Sequence, residues 1–162
     1  VCVEELSFNP DGSVVPLIPT ADGIREAIGS MSPYSRVEAE TMAWSEGVKL
    51  ASDGRPGVYV TDLDDGDYIQ LRNVAFAPGA RRFEVQASAP EGTFGSIEIR
   101  IDGRDGELLG VCEIKSTGTE GEWGLHSCPV RGVEGIHDLY LVFTGENSAL
   151  FAIDWWRFDS EG

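Results

Sequence analysis

Several stretches of this chain alternate apolar and polar side chains with a period of two, and that repeat limits what it can fold into. In residues 96–102, Ile97, Ile99 and Ile101 share one parity; in residues 82–89, Phe83, Val85 and Ala87 do. In residues 67–72, Ile69 and Leu71 alternate with Tyr68, Gln70 and Arg72. Successive side chains of a strand point to opposite faces, so such runs are half-buried strands. Residues 36–40, 57–61, 108–115, 123–130, 136–144 and 150–158 read as further strands, separated by Gly, Asp and Pro and by the turn Asp102-Gly103-Arg104-Asp105-Gly106. Long helical periodicity is absent. Short strands at regular spacing predict two packed antiparallel sheets, an all-β sandwich of the jelly-roll type.

The first part of the chain is organised differently. Apolar runs flank Asn9-Pro10-Asp11-Gly12, which predicts an N-terminal β-hairpin over residues 1–18. Residues 19–33 are rich in Pro, Thr, Asp and Gly and read as a linker, with one short helical turn around 24–28. The expected division is a hairpin plus linker over 1–31, followed by the sandwich over 32–160. The abrupt start at Val1 reads as a boundary within a longer protein.

Charge removes whole classes of partner. The chain carries 12 Lys and Arg against 28 Asp and Glu, a formal net charge of -16. A phosphate-backbone binder needs clustered cations, so neither nucleic acid nor an anionic membrane is an expected partner, and no apolar run is long enough to span a bilayer. Neutral sugars and cations remain open. Three cysteines, Cys2, Cys112 and Cys128, are too few for a disulfide scaffold. Cys112 and Cys128 flank a short loop and could face each other on paired strands; a direct cross-strand disulfide there would need specific geometry, and two buried thiols are the expected state.

Little here suggests catalysis. His126 and His137 each sit within a predicted strand, with no Ser/His/Asp set, zinc spacing or phosphate loop. Glu38 and Glu40 are two apart on a predicted strand and so share a face, where they either meet solvent or share a cation. Asp154 lies in a final strand otherwise full of aromatics, Phe151, Trp155, Trp156 and Phe158. Calcium accepts six to eight mixed oxygen ligands and would suit such acids. Trp44, Tyr59, Tyr68 and Trp123 fall in or beside predicted loops and strand edges. Such rings either fill the core or offer platforms for the apolar face of a sugar.

Four motifs, in order, carry a family resemblance. They are the run from Pro33-Tyr34-Ser35-Arg36-Val37-Glu38-Ala39-Glu40 to Trp44-Ser45-Glu46-Gly47, then Asp65-Gly66-Asp67-Tyr68-Ile69, Ile99-Arg100-Ile101-Asp102, and Ala149-Leu150-Phe151-Ala152-Ile153-Asp154-Trp155-Trp156-Arg157-Phe158. Together they resemble a family 6 carbohydrate-binding module. The segment from Val1 to Ser13 is similar to the last strands of a family 43 glycoside hydrolase, a β-propeller. The resemblance implies a non-catalytic module for xylan- or arabinoxylan-type plant cell-wall polysaccharide. It would be appended to the catalytic domain of a secreted or cell-surface arabinofuranosidase or xylosidase. The alternative is a structural module that braces that domain with little sugar binding of its own.

The resemblance also implies site residues. A structural Ca2+ would be held by Glu38, Glu40 and Asp154 together with loop carbonyls. The family's loop-end cleft holds a sugar between a Tyr and a Trp, with an Asn from the last loop. Tyr59 matches the Tyr. In Gly118-Thr119-Glu120-Gly121-Glu122-Trp123, Trp123 matches the second Trp of the family's stretch and Glu120 stands in place of the first. Ala152 stands at the Asn position, leaving Asn147 in the preceding loop as a substitute. Family 6 modules also bind on the concave sheet face, to which Tyr68 and Trp44 would contribute.

Overall fold

The computed structural model describes residues 6–18, 29–52, 54, 57–119, 121–146, 148 and 150–160. Within them lie eleven strands and no helix: β1 (Val37–Glu38), β2 (Trp44–Glu46), β3 (Lys49–Ala51), β4 (Tyr59–Thr61), β5 (Tyr68–Ala75), β6 (Ala80–Ser88), β7 (Gly95–Ile101), β8 (Glu107–Ile114), β9 (Gly124–Val133), β10 (Ile136–Gly145) and β11 (Ala152–Asp159). One sheet runs β3-β4-β11-β6-β9, with β1 added along β11; the other runs β2-β5-β10-β7-β8. Every pairing between these strands is antiparallel. The expected all-β sandwich is what forms.

The alternation read in the sequence becomes the core. Ile97, Ile99, Leu139, Leu141 and Phe143 from one sheet and Val60, Phe83, Val85, Ala87, Ile153 and Trp156 from the other are fully enclosed. At one end Phe158 meets Phe76, Phe83 and Trp156 edge to face, 5.2 Å from both Phe76 and Phe83, while Phe83 and Trp156 stack at 25°. Such offset ring pairs add roughly 0.5–1.5 kcal/mol each beyond the area they remove from water.

Extra residues interrupt the strict period of two at several places. The β6–β11 register passes from Ala87↔Ile153 to Gln86↔Trp155, so Asp154 is the bulged residue. The β5–β10 register passes from Val74↔His137 to Leu71↔Leu139, so the extra residue lies on β5, where Arg72 and Asn73 oppose Asp138. A bulge re-aims side chains and frees them from the ladder.

Other differences are local. The expected strand at 36–40 is only the two residues of β1, because Thr41 N–H donates to the Glu38 carbonyl (2.9 Å) and turns the chain. Trp44 opens a short edge strand, β2, that was not expected. Cys112 and Cys128 are not on paired strands: β8 pairs β7, β9 pairs β6, and the two cysteines lie on facing sheets. Both are buried thiols, as expected. The predicted turn after β7 forms at Asp102, whose φ of 60° is left-handed.

In the N-terminal segment, Phe8 bridges Val14, and Asn9 N–H donates to the Ser13 carbonyl at 2.8 Å. The predicted hairpin is present over its described part. Residues 1–5 of it, and the helical turn expected at 24–28, lie outside the described residues. No described helix is long and apolar enough to cross a membrane.

Candidate functional site

Tyr59 opens β4 and Trp123 immediately precedes β9, at the same end of the sandwich. Between those strands run β11 and β6, whose adjoining ends pair Ala152 with Ser88. The two rings meet at 5.3 Å between centroids and 72° between planes. Their loop is built firmly. The Thr117 hydroxyl donates to the Glu122 carbonyl (2.7 Å) and accepts from Ala89 N–H (3.0 Å), while the Glu122 carboxylate accepts from Thr119 N–H (2.9 Å). The two rings that the sequence reading paired are in contact. It paired them as a clamp, however, and the geometry differs. Carbon surfaces touch at about 3.5–4.0 Å, so a sugar held between two rings needs them roughly 7–8 Å apart and near parallel. Tyr59 and Trp123 instead lie edge to face in direct contact. Glu120 and Asn147, the other two expected residues of this site, lie outside the described residues.

A second aromatic surface covers the outer face of the five-stranded sheet. The registers Trp44↔Gln70, Gln70↔Tyr140 and Tyr68↔Val142 place Trp44, Gln70, Tyr68 and Tyr140 on one face of adjacent strands β2, β5 and β10. Trp44 is 64% exposed. The Tyr68 and Tyr140 rings lie 5.9 Å apart at a shallow 37° tilt, and the Arg104 guanidinium sits 5.5 Å above Tyr68. Trp44, Tyr68, Gln70 and Arg72 line a shallow open groove here. Gln70 is fixed beneath it: its amide donates to Asp138 (3.3 Å), whose other carboxylate oxygen accepts from Asn73 N–H (3.2 Å). Tyr140 was missed in the sequence reading. The signal was present, because Leu139 and Leu141 face the core and the residue between them must face out.

Of the three expected metal ligands, Glu38 and Asp154 meet around a cation of the protein's own. The Arg36 guanidinium donates to Glu38 at 2.8 Å and to Asp154 at 3.4 Å, and its centre sits 5.5 Å over the Trp155 ring. Its pKa is raised, chiefly by the hydrogen bond to Glu38, with the charges of Glu38, Asp154 and Glu40 adding to it. Asp154 reaches this cluster because it is the bulge of β11, at the junction where β4 and β1 adjoin the same edge; its carbonyl also accepts Ala39 N–H (2.8 Å). Among the described residues no three His, Cys, Asp or Glu side chains form a ready metal cage. One observation nevertheless fits a hard cation. Glu40 Oε2 is buried without a hydrogen-bond partner, which is costly for a carboxylate oxygen. The donors are oxygens of the type calcium prefers, with Arg36 as their competitor.

Both histidines have structural partners. His126 Nε2 lies 2.9 Å from the Lys115 carbonyl. His137 donates from Nδ1 to Asp102 (2.7 Å) and from Nε2 to the Glu134 carbonyl (3.0 Å). Two acceptors call for two ring protons, so the imidazolium is the favoured form, and its pKa is raised, first by the Asp102 bond. No nucleophile lies beside either ring in these contacts.

Comparison with known proteins now gives this geometry a context. The chain is 36% identical to an arabinoxylan arabinofuranohydrolase of Bacillus subtilis over 96% of its length, and 34% identical to one of Paenibacillus polymyxa. It spans 31% and 25% of those two proteins, so it corresponds to a third or less of each. Among solved structures, a family 6 carbohydrate-binding module from Clostridium cellulolyticum, in complex with xylose, superposes with a TM-score of 0.76 at 35% identity, covering 80% of this chain and all of that one. The family 43 arabinoxylan arabinofuranohydrolase of Bacillus subtilis, in complex with cellotetraose, gives 0.78 at 35% identity, covering 96% of this chain and 33% of that one. The model of carbohydrate binding module family 6 matches residues 38–160, from the first acid of the Arg36 cluster to the end of β11, and the chain belongs to that family.

Proposed function

We propose that this chain is the non-catalytic, glycan-binding module of an arabinoxylan-acting family 43 hydrolase working outside the cell, and that it binds β-linked plant polysaccharide of the xylan type on its five-stranded sheet face. One observation carries the reading: Trp44, 64% exposed, shares an open face with Tyr68 and Tyr140. Flat, accessible rings suit the C–H face of a pyranose, and Gln70 and Arg72 beside them supply hydrogen-bond donors. The relatives support the substrate class, since they include arabinoxylan-acting enzymes and a xylose complex. Isothermal titration with xylo-oligosaccharides, and gel retardation on xylan, arabinoxylan and β-glucan, test it. Retardation by none of the three polymers removes the proposal.

Two further assignments belong to it. The Tyr59–Trp123 pair is a second surface that a sugar would use from outside the pair, and Glu120 and Asn147 are the further residues assigned to it from the sequence. Calcium is the ion for Glu38, Glu40 and Asp154. It would supply positive charge to the orphaned Glu40 oxygen and tie β1 to β11. The expected result is heat on titrating Ca2+ into chelator-treated protein and a melting temperature that falls in EDTA, both lost in Glu40→Gln. A melting temperature unmoved by chelator leaves Arg36 as the cluster's only cation.

A bracing role has its own support. Leu6, Phe8, Val14 and Ile18 of the N-terminal segment are 52%, 62%, 51% and 83% exposed, apolar area that a neighbouring domain would cover. Comparing the parent hydrolase with and without residues 32–160 separates the roles: bracing predicts lost stability, and glycan capture predicts lost activity on insoluble polymer alone.

A further inference from the structure

The sandwich is hydrogen-bonded within each sheet, but at one side its two edge strands, β8 and β9, meet only across the core. They approach unusually closely. A Cβ on Gly110 of β8 would stand 2.7 Å from the Pro129 carbonyl of β9 and 3.1 Å from the Val130 side chain, so only glycine fits. Two residues along β8 is Cys112, and one residue back along β9 is Cys128. Both side chains point into the same core cluster, 0% and 7% exposed.

We propose that Cys112 and Cys128 are an oxidation site, at which a small-molecule disulfide converts the two facing thiols into a bond that joins the two sheets. The interaction of the two thiols lowers the pKa of Cys128 and raises that of Cys112. Cys128 is thus the thiolate former, and it is also the less enclosed of the two.

The chemistry balances with one oxidant. The Cys128 thiolate attacks a sulfur of the small disulfide, whose S–S bond breaks and releases one half as a thiolate. Cys112 then loses its proton, and its sulfur attacks Cys128 Sγ, expelling the other half. Two protons and two electrons leave the protein, and the oxidant becomes two thiols. The closed loop is about fifteen residues long, so the melting temperature is expected to rise by about 6–12 °C.

The test uses the whole chain carrying Cys2→Ser, so that no third thiol can exchange. It is incubated with oxidised glutathione, unfolded in acid, alkylated and mapped without reduction. A linked peptide pair containing Cys112 and Cys128, an intact mass lower by two hydrogens and a raised melting temperature are expected, each reversed by dithiothreitol. Two alkylated thiols after prolonged oxidation overturn the proposal, and so does glutathione held on both cysteines. Cys112→Ser is expected to stop at a single glutathione adduct on Cys128. Where that variant does not fold, the linked peptide from the parent chain decides alone.

Discussion

The two aromatic surfaces are built on opposite principles. Tyr59 and Trp123 come from loop-adjacent positions on strands separated by two others, and their rings contact each other. Trp44, Tyr68 and Tyr140 come from neighbouring strands of one sheet, and the ladder itself sets their spacing.

 This difference decides what each can hold. An edge-to-face pair spends part of its ring area on itself and leaves no slot between the rings, so it stabilises the loop end as much as it presents a surface. On the sheet face Arg104 lies over Tyr68, but Trp44 keeps an open ring and is the most exposed aromatic of the five. Aromatic side chains brought together by long-range folding are thus not automatically a binding cleft; what matters is whether they face each other or the solvent.

The largest expected effect is on affinity. Removing two sheet-face rings in Trp44→Ala/Tyr140→Ala should weaken binding of a xylo-oligosaccharide by about tenfold to a hundredfold, given roughly 0.5–1.5 kcal/mol per ring contact. The matching loop-end variant, Tyr59→Ala/Trp123→Ala, should cost less than about threefold. Isothermal titration of both variants checks this, and the reverse ranking moves the principal site to the loop end.

Stability should divide the surfaces the other way. Trp123→Ala removes a half-buried ring from its partner and should cost about 1–2 kcal/mol in urea unfolding, below the range for a fully enclosed Trp. Trp44→Ala should stay within about 0.5 kcal/mol, as an exposed position does. Equal losses would mean that Trp44 is structural.

The smallest effect concerns pH and should touch the sheet-face side. Asp102 accepts Asp138 N–H as well as the His137 ring, and the Asp138 carboxylate holds Gln70 between Trp44 and Tyr140. The His137 pKa is raised above its ordinary 6.5, so its contribution is fully present below that value and is lost as pH rises through the higher folded value. With the pair partly exposed, the effect should be under about 1 kcal/mol. Unfolding free energy measured from pH 5 to 9 should fall across that window, and His137→Gln should flatten the fall. An unchanged slope in the variant would assign the pH dependence to other groups.

Much of the fold was legible because the core is made by alternation: Ile97, Ile99 and Ile101, or Phe83, Val85 and Ala87, declare their face in three letters each. Legibility failed where the period breaks. β11 bulges at Asp154 and β5 at Arg72 and Asn73, so a count by twos does not show where the side chains there go. β2 and β3 are three residues long, too short to show a repeat, and Trp44 was therefore read beside a loop. Cys112 and Cys128 were read as partners on adjacent strands because the connection between them is short, yet that connection crosses from one sheet to the other. At the acidic cluster, the motif reading named all three carboxylates. It did not name Arg36, since a cation two residues from Glu38 becomes their common partner only once β11 lies alongside β1.

The position of β11 has a consequence for biosynthesis. It is the last of the described strands to be synthesised, yet it lies inside its sheet, with β6 on one edge and β4 and β1 on the other. Until it is made, β4 and β1 have no central neighbour and the core lacks Trp156 and Phe158. The six-stranded sheet therefore cannot assemble before β11 exists, and long-range pairings of this kind close slowly. Chains truncated before β11 are left exposed to aggregation and proteolysis.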